Sequence, residues 1–361
     1  MPAPCPRQHR RVRLLPPCLR AGRFTALLAV LSLAGCAQSN PDSAFKLYLQ
    51  RLSGALSVAA PTVEAATIAP LPRARELQLD IGGSAIDMLD FLALRGCELQ
   101  VTIGKRNSSL GRLARDSQRL LLELEYLRLA PACIAYQRER GEPALAAVLT
   151  EAWTLKRSQL PALLFNATLG GGEYRQFWKA QPGATNYPAN TSSAVIVSLQ
   201  AINQHARRWL AGDFHVDNLT FELLLADVAT GDGGTLRRAL AQQASALQAA
   251  NKLLALRMKR GPLCRPPLRP AAADTLDNVV RKFFVAGTQP RAARLNQRYH
   301  ELLPPITELE QQLFPALPEA YQTGRRQRDS SLAQWALAPR QHVSRLQAIR
   351  QPCAASEPLA P

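Results

Sequence analysis

Apolar side chains recur every three or four positions along most of this chain, the spacing of helices that bury one face. The first such stripe follows Pro41 and runs through Phe45, Tyr48, Leu49, Leu52 and Leu56. Ser84, with Asp87 three residues on in a capping-box arrangement, opens a second helical segment, "SAIDMLDFLAL". The same spacing predicts helices over Leu99–Lys105, Ser108–Ala130, Glu142–Leu155, Leu160–Thr168, Glu173–Lys179 and Ala194–Leu210. It continues over Asn218–Val228, Thr235–Met258, Ala271–Val285 and Arg291–Leu303, with shorter pieces to the end. Only "RELQLDI", residues 75–81, alternates like a strand, and with no partner strand in view it is expected to be merely extended. The pattern therefore predicts an all-α, compact multi-helix domain of about ten helices with little or no β-structure.

Breaks in the pattern outline the organisation. A linker rich in Ala, Pro and Thr runs from Ala59 to about Pro72, and the turn-rich "AQPGATNYPANTSS" precedes Ala194. The Pro-rich "GPLCRPPLRPAAA", residues 261–273, is the best boundary if the domain has two lobes, although helices on its two sides could share one core. No internal repeat of fixed period is visible.

The amino-terminal 35 residues differ from the rest. Arginines crowd residues 1–23, and the apolar run "FTALLAVLSL" that follows is shorter than the roughly 20 residues a spanning helix needs. A basic stretch, a short apolar core and small residues together read as a secretory signal. Its last residues, Leu33-Ala34-Gly35-Cys36, resemble the lipobox of bacterial lipoproteins. That resemblance implies that the Cys36 sulfur takes a diacylglyceryl group and that cleavage leaves Cys36 as the first residue. Acyl chains such as palmitate then hold the protein to a membrane, firmly when there are two or more. Ala37, where an aspartate would retain a lipoprotein in the inner membrane, implies the periplasmic face of the outer membrane. The expected organisation is thus a signal over 1–35, a lipidated segment with first helix and linker over 36–72, and a helical domain over 73–361.

Charge changes with that reading. The chain of 361 residues carries +17, and the signal holds six arginines and no acid, so its removal leaves +11. Most of the excess lies after residue 200. Such a surface favours anionic partners, among them lipid head groups and cell-wall polymer. The arginines are spread along helix faces and not packed into a block, as expected of a solvated surface, and export disfavours nucleic acid. With 47% hydrophobic residues the chain can bury a substantial core.

Seven cysteines are encoded. Cys5 and Cys18 leave with the signal and Cys36 is assigned to lipid, so Cys97, Cys133, Cys264 and Cys353 remain. Four cysteines in an exported chain suggest two disulfides with three possible connectivities. Cys97 with Cys133 and Cys264 with Cys353 are preferred because each pair lies within one half of the chain; free thiols are the alternative. None of the four has the close spacing of a zinc site, so no metal is expected.

The passage "LDFLALRGCELQVTIGKRNSSLGRLARDSQRLLLELEYLRLAPACI", residues 89–134, with "FKLYLQRLSGAL" and "GGEYRQFWKAQPG", resembles an uncharacterised lipoprotein family of Gram-negative bacteria, domain of unknown function 3080. The resemblance spans nearly all of the chain after the lipobox. It implies class and location, and it carries no activity or catalytic residue with it.

Two stretches invite chemistry. In "GKRNSSLG", Lys105, Arg106, Asn107 and Ser108 could hold an anion at a helix N-terminus, or Ser108 or Ser109 could simply cap a helix-helix turn. Tyr174 and Trp178, with Phe177 and Tyr187 nearby, could contact a glycan; the i, i+3, i+4 spacing of Tyr174, Phe177 and Trp178 also suits a helix packed into a core. Glycoside cleavage needs two carboxylates, and Glu173 has no identifiable partner. His205, His215, His300 and His342 lack metal spacing and are expected to be exposed. No catalytic constellation and no cofactor motif emerges. The expectation is a non-enzymatic, outer-membrane-anchored envelope scaffold or binding protein, with a peptidoglycan-binding protein or hydrolase as the alternative.

Overall fold

A computed structural model describes residues 41–82, 91, 94–181, 187–189 and 191–354. Cys36 with its lipobox, and the capped helix expected from Ser84, lie outside the described residues except for Phe91 and Leu94. The described residues belong to one compact unit built of helices and their connections, and the β-type pairing among them is one isolated antiparallel bridge, Arg265 to Leu268.

The helix α1 (Pro41–Leu56) buries Phe45, Tyr48, Leu49, Leu52 and Leu56 as its spacing demands, and it ends at Ser57, whose φ of 49° is incompatible with continuing the helix. A single turn, α2 (Ala74–Leu77), occupies the start of the alternating stretch; residues 78–82 are extended. Next come α3 (Leu99–Asn107) and the short α4 (Ser109–Arg112). The helices α5 (Asp116–Glu139) and α6 (Pro143–Ala167) form a hairpin. Gly141 turns the corner at φ 79°, where a side chain would be strained.

Two interruptions that proline predicts do not occur here. The expected helix over 108–130 stops short of Pro131, yet α5 runs through it. Proline removes the donor that would have served the Leu127 carbonyl four residues back, and the Trp153 indole N–H of α6 donates to that carbonyl instead, at 3.1 Å. Likewise α6 continues through Pro161 and joins the two helices expected over 142–155 and 160–168.

The chain proceeds through α7 (Gly172–Phe177), α8 (Ala194–Leu210), α9 (Asn218–Ala229) and α10 (Gly233–Met258). Then α11 (Ala271–Val279) passes into a π-helical stretch, Val280–Thr288, and on into α12 (Gln289–Gln312). The last helix, α13 (Glu319–Ala354), is a single 36-residue element in place of the expected shorter pieces; Pro339 and Pro352 do not break it. Pairs of neighbours fix its direction: Asn251 of α10 bonds His342 of α13, a separation of 91 residues, and Arg237 and Arg328, also 91 apart, share one cavity. The two helices therefore run parallel in constant register, and the intervening chain makes the return crossing.

One large core joins α1 to the helices on both sides of residues 261–273, so Leu253, Cys264, Ala273 and Leu346 share a single packed interior. A smaller cluster around Cys97, Cys133, Tyr126 and Leu149 packs α3 against the α5–α6 hairpin. The four cysteines lie in two pairs at disulfide distance, Cys97 with Cys133 (Cα–Cα 5.4 Å) and Cys264 with Cys353 (4.9 Å).

Candidate functional site: a buried arginine cluster

The most concentrated buried polar chemistry lies where α7, α10, α12 and α13 meet. Arg328, projecting from α13 on the stripe Tyr321, Arg328, Leu332, Trp335, is 5% exposed. Its Nη2 bonds both carboxylate oxygens of Glu310 on α12, at 3.0 and 3.2 Å, and its Nη1 donates to the Tyr174 hydroxyl at 3.1 Å. Its Nε donates to Asp329 at 2.7 Å. The Tyr321 hydroxyl donates to Glu310 at 2.7 Å, and the Trp178 ring lies 5.1 Å beneath the guanidinium.

Burial pushes the Glu310 carboxyl upward, opposed by the Arg328 charge and the Tyr321 hydrogen bond. It pushes the Tyr174 hydroxyl up to about 12, with Arg328 opposing and Glu310 adding to the rise. For Arg328 burial works in the opposite sense, but the Tyr174, Glu310 and Tyr321 oxygens outweigh it and hold the guanidinium charged.

The ground for this cluster is prepared by glycine. A Cβ on Gly233 would strike the edge of the Phe177 ring, and one on Gly234 would strike the Trp178 carbonyl, so only this bare start to α10 lets α7 seat Phe177 and Trp178 against it. One turn into α10 stands Arg237, 5% exposed, whose Nε has no hydrogen-bond partner and which forms no ion pair among the described residues. Burial, and then the Arg328 charge, lowers its pKa.

Three further buried polar groups are complete in themselves. Glu123 on α5 receives Lys156 at 2.6 Å and Arg106 at 2.5 Å. His342 is fully buried and lies 2.7 Å from both the Tyr48 hydroxyl and Asn251 Oδ1. Arg298 on α12 donates to Asp232 at 2.6 and 3.0 Å, and Asp232 also accepts from the Tyr187 hydroxyl at 2.6 Å.

Lys105 pairs with Glu125 at 3.4 Å, Arg106 belongs to Glu123, the Asn107 carbonyl accepts from Arg112, and the Ser108 hydroxyl caps α4 by accepting from the Gly111 amide at 3.0 Å. Lys105 and Arg106 thus meet acids of α5, and Asn107 and Ser108 are engaged within the turn between α3 and α4. Tyr174 and Trp178 are both only 6% exposed, packed as their helical spacing allows, and both line one cavity. Lys105 and Trp178 line separate cavities. The expectation of four exposed histidines is corrected: His342 is in the core, where Tyr48 and Asn251 satisfy its ring, and His205 is partly covered by Trp209. Among the described residues no group of three His, Cys, Asp or Glu side chains could hold a metal ion.

A family model with the description "Protein of unknown function (DUF3080)" matches residues 45–356, from the first stripe of α1 to just beyond the end of α13. The chain belongs to the DUF3080 family. No curated protein and no solved structure matches it. The DUF3080 match takes in every residue of the buried cluster, Tyr174, Arg237, Glu310, Tyr321 and Arg328 included. Sequence reasoning passes over Arg237, Glu310 and Arg328. The available signal is a charge standing on an apolar stripe, as Arg237 does between Gly233 and Leu240, Ala241 and Ala244.

Proposed function

We propose that this member of the DUF3080 family is a lipid-anchored periplasmic protein of the outer membrane that serves as a non-enzymatic envelope scaffold or binding protein. The observation that carries the reading is the cysteine arrangement. Leu33-Ala34-Gly35-Cys36 sets one cysteine apart as a lipid acceptor, and the four that follow lie in two pairs at disulfide distance, the arrangement expected of a chain that folds in an oxidising compartment. No helix among the described residues is long and apolar enough to cross a membrane, in keeping with attachment through acyl chains. The buried charges Glu123, Arg298 and Glu310 pair with Lys156, Asp232 and Arg328 in structural roles, and this supports a scaffold over a hydrolase.

Fractionation of cells expressing the full chain tests the anchor. The native protein should sediment with outer membranes and incorporate labelled palmitate, whereas Cys36→Ala should do neither. A Cys36→Ala protein that still sediments with membranes after a carbonate wash would refute the proposal.

A further inference from the structure

Arg237 poses a specific electrostatic problem. A guanidinium cannot shed its proton at any pH the protein meets, and a buried charge without a partner is strongly unfavourable. Neighbouring Arg328 has Glu310 and Asp329 as counter-charges. Among the described residues Arg237 has none, makes no hydrogen bond at Nε, and faces Arg328, a like charge that worsens its position. Both line one cavity of about 40 Å³, several times the volume one water needs. Arg175 and Arg325 stand at the same cavity, both half-buried; Arg175 is spent on the Pro72 carbonyl at 3.0 Å. Otherwise the walls are largely apolar, formed by Leu77, Leu169, the Trp178 and Tyr321 rings and the linker at Pro70–Pro72.

We propose that this cavity is a binding site for a small monocarboxylate, whose two oxygens take the fork of Arg237 and whose short alkyl end lies against the apolar wall. Arg237 is the buried arginine of this cavity without a counter-charge, one negative charge meets that need, and the planar guanidinium matches a carboxylate in a two-point contact. The apolar wall favours an organic anion over a bare halide, and the cavity size limits the organic part to a few carbons. Such an anion gives Arg237 its counter-charge and separates it from Arg328. The proposal goes beyond the envelope reading and stands whether or not the lipid anchor does.

The test is thermal unfolding of the full protein at constant ionic strength, with a bulky sulfonate as the background anion and acetate or propionate titrated in. Saturable binding to the folded state should raise the melting temperature by a few degrees. Chloride at equal concentration should give a markedly smaller shift, and a shift as large would overturn the carboxylate assignment. Arg237→Met should abolish the acetate response while melting no lower than the native protein in the anion-poor buffer, since it removes an unpaired charge and keeps the volume. Retention of the full response by Arg237→Met would overturn the site. Should that variant fail to fold, calorimetric titration of the native protein with acetate decides the matter: saturable heat near one equivalent is expected, and its absence refutes the proposal.

Discussion

The Asn166 side chain bonds the backbone of Leu79 in both directions. Its Oδ1 accepts from the Leu79 amide at 3.0 Å, and its Nδ2 donates to the Leu79 carbonyl at 2.8 Å. A side-chain amide thereby does for one residue what a neighbouring strand would do, and this is how an alternating segment without a partner strand is held against α6. Asn166 is itself 2% exposed. Asn166→Ala should leave two backbone groups without partners and destabilise the protein by about 1–3 kcal/mol. Urea unfolding gives the value, and hydrogen exchange at Leu79 should quicken in the variant; an unchanged rate there would sink the account.

His342 makes stability depend on pH. Burial lowers its pKa from about 6.5 to about 4. The unfolded chain then binds the proton more readily than the folded one, so the contribution is fully present above about pH 6.5 and is lost as pH falls toward 4. Each tenfold drop in proton affinity is worth about 1.4 kcal/mol, so the whole loss amounts to about 3 kcal/mol. Urea midpoints between pH 4 and 7 should show the loss in the native protein and a flatter profile in His342→Gln. Parallel profiles would assign the effect to other groups.

The Arg328–Glu310 pair should be costly to break and cheap to replace. Arg328→Met leaves Glu310 buried without its cation and should destabilise by about 3–5 kcal/mol. Adding Glu310→Leu should recover a large share of that loss. A double-variant cycle by chemical denaturation measures the coupling, and additive effects would show that the pair does not act as a unit.

The paired cysteines predict a labelling pattern. Alkylation of the intact protein without reductant should leave Cys97, Cys133, Cys264 and Cys353 unmodified, and unfolding after reduction should expose all four. Loop closure by Cys264 with Cys353 spans 89 residues against 36 for Cys97 with Cys133. Removal of either pair should cost about 4 kcal/mol, with the longer loop ahead by less than about 1 kcal/mol.

The helices that are legible in the sequence are those whose apolar stripe ends in clear punctuation. The expected range Ala194–Leu210 coincides with α8, whose stripe through Val195, Leu199, Ile202, Ala206 and Trp209 is wholly buried. The misread boundaries have a common cause, because local rules treat proline as a stop, and at Pro131 the lost bond is replaced by a tryptophan on another helix. The π-helical stretch escapes for a similar reason, since its apolar periodicity resembles that of an ordinary helix. The site is harder still. A charge is read as solvent-facing by default, and Glu310, the buried counter-charge of Arg328, sits 18 residues away on another helix, where no local pattern can reveal it.

The contact between Tyr48 and His342 joins residues 294 apart. During synthesis and passage through any export channel, the first helix therefore emerges long before the element that covers its tyrosine. Its apolar stripe must wait, partly clothed at best, until almost the whole polypeptide has followed, and completion of the fold is deferred to the arrival of the carboxy-terminal helix.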